Sequence, residues 1–219
     1  MRKAIIIVLL LVTALSCSRK GGFSEREKEI IVRSDSVMYV LTVWNKADSL
    51  VLRTPSVDIP SSELRGELFK MLCAKMLSTV TSPEQDGVGI AAPQVGINRR
   101  LVAVWRGDLP EQPFRVYPNV RLDSLWGDLA PGREGCLSVP PYSGIVRRYP
   151  NAIVSWTDPT TLSRLRDTVS GYTAVIFQHE CDHLDAVLYP DRADTLWLND
   201  SWAAERASHT YPRPSWFSE

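Results

Sequence analysis

Histidine is scarce: three occur in 219 residues, and two of them fall within five positions of each other. Charge of either sign is not in excess, since 25 basic and 25 acidic side chains leave a formal net charge of zero. That balance excludes a global electrostatic pull toward nucleic acid or an anionic membrane. Cysteine is limited to Cys17, Cys73, Cys136 and Cys181, too scattered to form the framework of a small disulfide-stapled domain. No internal repeat or low-complexity tract occurs, and no glycine-rich turn runs into the Gly-Lys-Ser/Thr of a phosphate loop. What remains is the composition of an ordinary globular protein, 44% hydrophobic and 23% charged, long enough for one domain with appendages.

The longest apolar run, Ala4 to Leu15, is short for a bilayer span but suits the core of a secretory signal. Arg2 and Lys3 supply the basic start, and Ala14-Leu15-Ser16-Cys17 is similar to a bacterial lipobox. Residues 1–17 are therefore expected to be a lipoprotein signal, with lipid on Cys17 holding the mature chain at a membrane outside the cytoplasm. Translation starting near Met38 would instead leave a cytoplasmic protein. The polar stretch 18–37 reads as a linker, 38–198 as the catalytic domain and 199–219 as a C-terminal tail. That tail carries Asp194, Asp200, Glu205 and Glu219 near or within it against Arg206 and Arg213, so it offers no basic surface to RNA, and no nucleic-acid partner is expected. Its aromatic residues, Trp197, Trp202, Tyr211 and Trp216, suit packing on the domain's own surface.

Met38 to Val43 suits a strand or extended entry. Ser61 and Ser62 can cap a helix, and Leu64, Leu68, Met71, Leu72 and Met76 recur at helical spacing, so one amphipathic helix is expected over 62–80. Strands are expected at 101–105, 114–117, 145–149 and 153–156. Tyr172 to Ala186 reads as a helix whose first half, TAVIF, is apolar all round, the pattern of a helix buried in mid-domain. Strands preceding one late buried helix imply an α+β fold, with strands packed around that helix.

The chemistry concentrates in that helix, in His179-Glu180-Cys181-Asp182-His183. Positions i and i+4 share a helical face, so both imidazoles can reach one metal ion. Glu180 is turned about 100° from His179, beside the ion, where a base can handle a water's proton. Catalytic sites usually use three protein ligands, and the third is either Cys136, in Glu134-Gly135-Cys136-Leu137-Ser138-Val139-Pro140, or a downstream acid such as Glu205. A third stretch, Gly87-Val88-Gly89-Ile90-Ala91-Ala92-Pro93-Gln94-Val95-Gly96, permits close backbone approach and presents Gln94 as a neutral donor. His209 has no partner pattern and reads as surface.

GVGIAAPQVG, EGCLSVP and QHECDHL, in that order, resemble the three signature motifs of peptide deformylases. The resemblance runs from about Leu41 to Arg192 and includes Asp48 with Leu50-Val51-Leu52-Arg53, and Arg148 before a strand. It implies that Cys136, His179 and His183 hold one divalent metal, Fe(II) in many members. The ligand set also suits Zn(II), Ni(II) or Co(II). It implies attack of metal-activated water on the formyl carbon of an N-formylmethionyl peptide. Gln94, the Leu137 N–H and the metal would stabilise the oxyanion, and Glu180 would move the proton. Val88, Val175 and Ile176 are expected to form the apolar pocket for methionine. Two features depart from the family: Ala186 stands where glycine is usual, and the N-terminus looks exported although nascent chains are deformylated in the cytosol. The competing readings are an exported metallopeptidase with His179, His183 and a downstream acidic ligand, and a lipoprotein that binds peptide without catalysis.

Overall fold

The structure, a computed structural model, describes residues 21–201 and 214–218. The signal, Cys17, Glu205, His209, Trp202 and Tyr211 lie outside the described residues. Among the described residues no helix is long and apolar enough to cross a membrane.

The described part of the expected linker is not a linker. Ser24 starts a helix, α1 (Glu25–Arg33), through a reciprocal capping box in which Glu27 N–H donates to Ser24 Oγ and Ser24 N–H to Glu27 Oε2. Glu27, Ile30 and Ile31 form its buried face, and its other charged residues lie outside that face. Glu27 makes a buried two-pronged ion pair with Arg99, at 2.8 Å on both arms. Counting charges along the stretch concealed this apolar pair. At the other end, Phe217 is buried beside Tyr39, and Arg26 donates to the Trp216 and Phe217 carbonyls. The folded unit therefore reaches beyond 38–198 at both ends, and Trp216 packs on the domain as expected, under the Arg33 guanidinium.

Met38 to Val43 is extended but belongs to no sheet. Its N–H groups are used singly: Met38 to Thr79 Oγ1, Leu41 to the Gln94 carbonyl, Val43 to the Ser138 carbonyl. This one segment thus braces two loops of the site. A short helix follows, α2 (Lys46–Leu52), capped by Asn45. Helix α3 (Glu67–Val80) begins five residues later than expected. Ser61 and Ser62 sit in turns closed by Glu63 N–H on the Pro60 carbonyl and Gly66 N–H on the Glu63 carbonyl, and Gly66 becomes the N-cap. Leu64, Leu72 and Met76 are core as expected, whereas Met71 is exposed.

Among the described residues the strands form three three-stranded antiparallel sheets. The first joins β1 (Gly89–Ala91), β2 (Leu101–Trp105) and β3 (Phe114–Pro118). β2 alternates between two cores: Leu101 and Ala103 pack with α1 and α3, while Val102 and Val104 face the late helix. The second sheet has β4 (Arg121–Trp126), β7 (Asn151–Thr157) and β8 (Arg164–Ser170) in the order β4-β7-β8. The third has β5 (Ala130–Gly135), β6 (Tyr142–Arg148) and β9 (Ala193–Leu198) in the order β5-β6-β9. Expected strands 101–105, 114–117, 145–149 and 153–156 correspond to β2, β3, β6 and β7.

Helix α4 (Gly171–Leu184) runs through the middle against β1, β2, β7 and β8. The fold is α+β, with strands around a central buried helix, as the sequence implies. Its start is pinned by the buried Arg106, which donates to Asp108, Tyr117 Oη and Asp167, while Asp108 accepts from Thr173 Oγ1. Its end comes two residues before Ala186, which sits at φ +61° in the left-handed region that glycine enters without cost.

Candidate metal centre and active site

Helix geometry puts His179 and His183 one turn apart, with ring centroids 5.2 Å apart. β5 ends at Gly135, and the turn that follows carries Cys136 up to them. One ligand atom from each of Cys136, His179 and His183 lies within 4.8 Å of the others, and Cys136 Sγ is 3.2 Å from His183 Nε2. Tetrahedral coordination with bonds of about 2.1–2.3 Å holds ligand atoms roughly 3.4–3.8 Å apart, so the cluster closes on one ion with little adjustment. One thiolate and two imidazoles are a donor set for a borderline divalent metal. Cys136 is 5% exposed, set in a buried turn and not on an exposed bend.

Sequence reasoning passed over Glu134 as a functional residue. Its Oε2 lies 2.8 Å from His179 Nδ1, so the other ring nitrogen, Nε2, is left for the cluster. Glu134 is itself gripped by Arg148 at 2.8 and 3.1 Å, and Arg148 reaches on to Asp182 at 2.6 Å. Asp182 also accepts from Arg192 at 2.7 and 2.8 Å. A buried chain of charges thus ties β5 and β6 to the face of α4 beside the histidines. The available signal was an acid two residues before a candidate cysteine ligand, the usual provision for orienting an imidazole.

The electrostatics follow from this wiring. Burial alone would lower His179, but Cys136 and Glu134 beside it outweigh that and raise it well above the usual histidine range. Burial, aided by His179 and Arg148, pushes His183 well below that range, leaving the neutral ring that a metal requires. Burial raises Glu134, but its bonds to His179 and Arg148 prevail and bring it down to about 2. Burial also pushes Glu180 up, to about 7. Glu180 Oε2 has no hydrogen-bond partner among the described residues, and Oε1 packs so closely on Gly89 that a Cβ there would lie 2.5 Å from it.

Gln94 sits in a tight 3-10 turn, Ala92–Val95, and is 1% exposed. Ala91 N–H donates to its Oε1 at 2.8 Å, which aims Nε2 at Ser138 Oγ, 3.3 Å away, and at Cys136 Sγ, 3.6 Å away. Behind it, Gly96 holds φ +87° and packs on Phe217. A cavity of about 500 Å³ opens over the cluster. Gln94, Leu137 and Glu180 all line it, as do the expected apolar residues Val88, Val175 and Ile176, joined by Tyr172. Asp48 is fully buried and accepts from Tyr39 Oη at 3.0 Å, supporting the segment that braces Gln94. Arg53 pairs with Asp191 instead of reaching the site.

The family described as Polypeptide deformylase matches residues 40–197. The peptide deformylase of Leptospira biflexa serovar Patoc is 39% identical over 161 residues, covering 70% of this chain and 88% of that one. Peptide deformylase 2 of Gloeobacter violaceus is 40% identical over 152 residues, covering 66% and 74%. Among solved structures, the class I type b peptide deformylase of Acinetobacter baumannii with actinonin bound superposes with a TM-score of 0.63 at 29% identity, over 72% of this chain and 99% of that one. The same enzyme with Met-Ala-Ser bound gives a TM-score of 0.62 at 30% identity, over 71% and 98%.

Proposed function

This chain belongs to the polypeptide deformylase family and is a metal-dependent hydrolase that removes the N-formyl group from formylated peptides, and we propose that Cys136, His179 and His183 hold its one divalent ion while Glu180, Gln94 and the Leu137 N–H act on the substrate. The observation that carries the assignment is the convergence of the three donor atoms within 4.8 Å beneath a cavity that both Glu180 and Gln94 line. A divalent ion held there acidifies water and polarises the amide carbonyl. The rest is done by the chain. Glu134 keeps His179 in one tautomer and one orientation. Glu180, buried beside the cluster, takes the proton of the attacking water and returns it to the leaving amine. The water oxygen bonds to the formyl carbon, the carbon–nitrogen bond breaks, and formate and a free amino terminus leave. The oxyanion formed on the way is met by Gln94 Nε2, already aimed by the Ala91 N–H, and by the Leu137 N–H. Val88, Tyr172, Val175 and Ile176 receive the methionine side chain. The test is formate release from formyl-Met-Ala-Ser after loading with Fe(II), Ni(II) or Zn(II); metal uptake without formate in every case overturns the reading.

Fe(II) is our choice for the resident ion, on the resemblance to the family; a thiolate with two imidazoles accepts Zn(II), Ni(II) and Co(II) as well. Metal analysis of protein purified without oxygen decides between them. The basic start, apolar run and Ala-Leu-Ser-Cys of residues 2–17 support export, with lipid on Cys17 and the enzyme at a membrane beyond the cytoplasm. There it would meet exported formylated peptides. Palmitate labelling and cell fractionation, beside Cys17→Ala, test this; an unlabelled cytosolic protein refutes export and leaves the catalytic assignment standing.

A further inference from the structure

The metal ligands, the proton-transfer group and the methionine pocket leave one wall of the cavity unused. The β5–β6–β9 sheet brings Arg133 and Ser143 to the cavity, and Asn199, the residue after β9, joins them. Among the described residues lining the cavity, Arg133 is the one arginine or lysine. Its guanidinium lies 5.7 Å over the Trp197 ring and Nη2 is 3.5 Å from Ser143 Oγ, while Asn199 Nδ2 donates to the same hydroxyl at 3.3 Å. No ion pair is formed by Arg133 with a described residue. An arginine steadied by an aromatic face and a hydroxyl, and not neutralised by a carboxylate among the described residues, is a ready anion contact. The loop of Glu84 and Asp86 also lines the cavity, so its lining carries charges of both signs. A peptide lying in the cavity is sorted by charge.

Distance selects the position read. Arg133 precedes Cys136 by three residues of nearly extended chain, roughly 10 Å. A substrate with its formyl carbon at the metal covers a similar length in about three residues. Resting on the deformylase reading, the geometry points to Arg133 as a specificity residue that binds a carboxylate at the third position of the substrate, either an acidic side chain or the terminal carboxylate of a tripeptide.

The experiment uses the metal-loaded protein and Arg133→Gln, with four peptides: formyl-Met-Ala-Ser as free acid and as amide, and the amides of formyl-Met-Ala-Glu and formyl-Met-Ala-Gln. The expected result is a KM about fivefold lower for the glutamate than the glutamine peptide, with equal kcat, shrinking in 0.5 M salt. The free acid and amide of the serine peptide report the terminal carboxylate separately. Arg133→Gln should abolish both preferences and leave kcat unchanged, and Arg133→Lys should restore part of them. Calorimetry with the deformylated glutamate and glutamine peptides reads the same contrast without turnover. If no peptide yields formate, the deformylase reading falls and calorimetry alone judges Arg133. Equal KM values within both pairs, or a preference that survives Arg133→Gln, overturns the proposal.

Discussion

Replacing Glu134 by glutamine removes one buried negative charge and keeps the volume. In the native site its carboxylate is held by His179 at 2.8 Å and by Arg148 at 2.8 and 3.1 Å, and the Arg148 and Glu134 side chains are 6% and 5% exposed. Burial works against the charged form, yet these partners carry the carboxyl from 4.5 down to about 2. A displacement of that size corresponds to about 3 kcal/mol. Breaking a buried pair by deleting one partner costs about 3–5 kcal/mol. The low end applies here, because Asp182 remains 2.6 Å from Arg148. Since the folded pKa is depressed, the stabilisation is full above pH 4.5 and is lost as pH falls through about 2. The variant should therefore unfold about 3 kcal/mol more easily than the parent at pH 7, and the gap should narrow toward pH 2. The amide oxygen can still accept from His179 Nδ1, but without charge it raises the ligand's basicity less, so metal affinity should fall about 10- to 100-fold. Urea unfolding of the metal-free protein at pH 7 and pH 3, and chelator competition for the metal, measure the two effects. An unchanged urea midpoint at pH 7 together with an unchanged metal affinity would refute the role given to Glu134.

Cys136→Ala should abolish tight metal binding, read by metal analysis of the purified protein, because it removes the thiolate among the three proposed ligands; stoichiometric metal in this variant and its loss in Glu205→Ala would favour the acidic-ligand alternative. Glu180→Gln should keep the metal and lose about 10²- to 10⁴-fold in turnover. In the metal-free protein the Glu180 carboxyl is raised from 4.5 to about 7, so the stabilisation tied to its proton is full below pH 4.5 and gone once pH rises past 7. Glu180→Gln should then be more stable than the parent by up to about 3 kcal/mol at pH 8, checked by denaturant unfolding. Gln94→Ala should retain the metal and lower kcat about 10²- to 10³-fold in steady-state assays, and a smaller loss removes Gln94 from the oxyanion site. Ala186→Gly relieves a left-handed alanine worth about 1–2 kcal/mol but frees the unfolded chain by about 0.4–1 kcal/mol, so thermal melting should show a net gain of up to about 1.6 kcal/mol.

What could be read along the chain was what backbone geometry settles within a few residues. His179 and His183 share a face because four helical residues make just over one turn, and Glu180 sits beside them for the same reason. α4 was legible because its stretch TAVIF is apolar on all sides, and β2 because LVAVW has no polar side to turn outward. Elements held in place from outside were not legible. β5 (APGREG) contains proline and glycines and is a strand through its pairing with β6, at the sheet edge where proline is tolerated. α1 was hidden because two buried isoleucines count for little against its charges until the core exists to receive them. Met38–Val43 looked like a strand, but its N–H groups are claimed one at a time by α3, the Gln94 turn and the Ser138 turn. Glu134 meets His179 across 45 residues, and Arg148 meets Asp182 across 34. Such pairings arise because a buried charge must find its opposite wherever the packed chain brings one. The sequence by itself put His179, Glu180 and His183 on one side of a helix and left the third donor open between Cys136 and a downstream acid; only the tertiary structure brought Cys136 to the histidines, set Glu134 against His179, desolvated Glu180, and placed Arg133 on the same cavity.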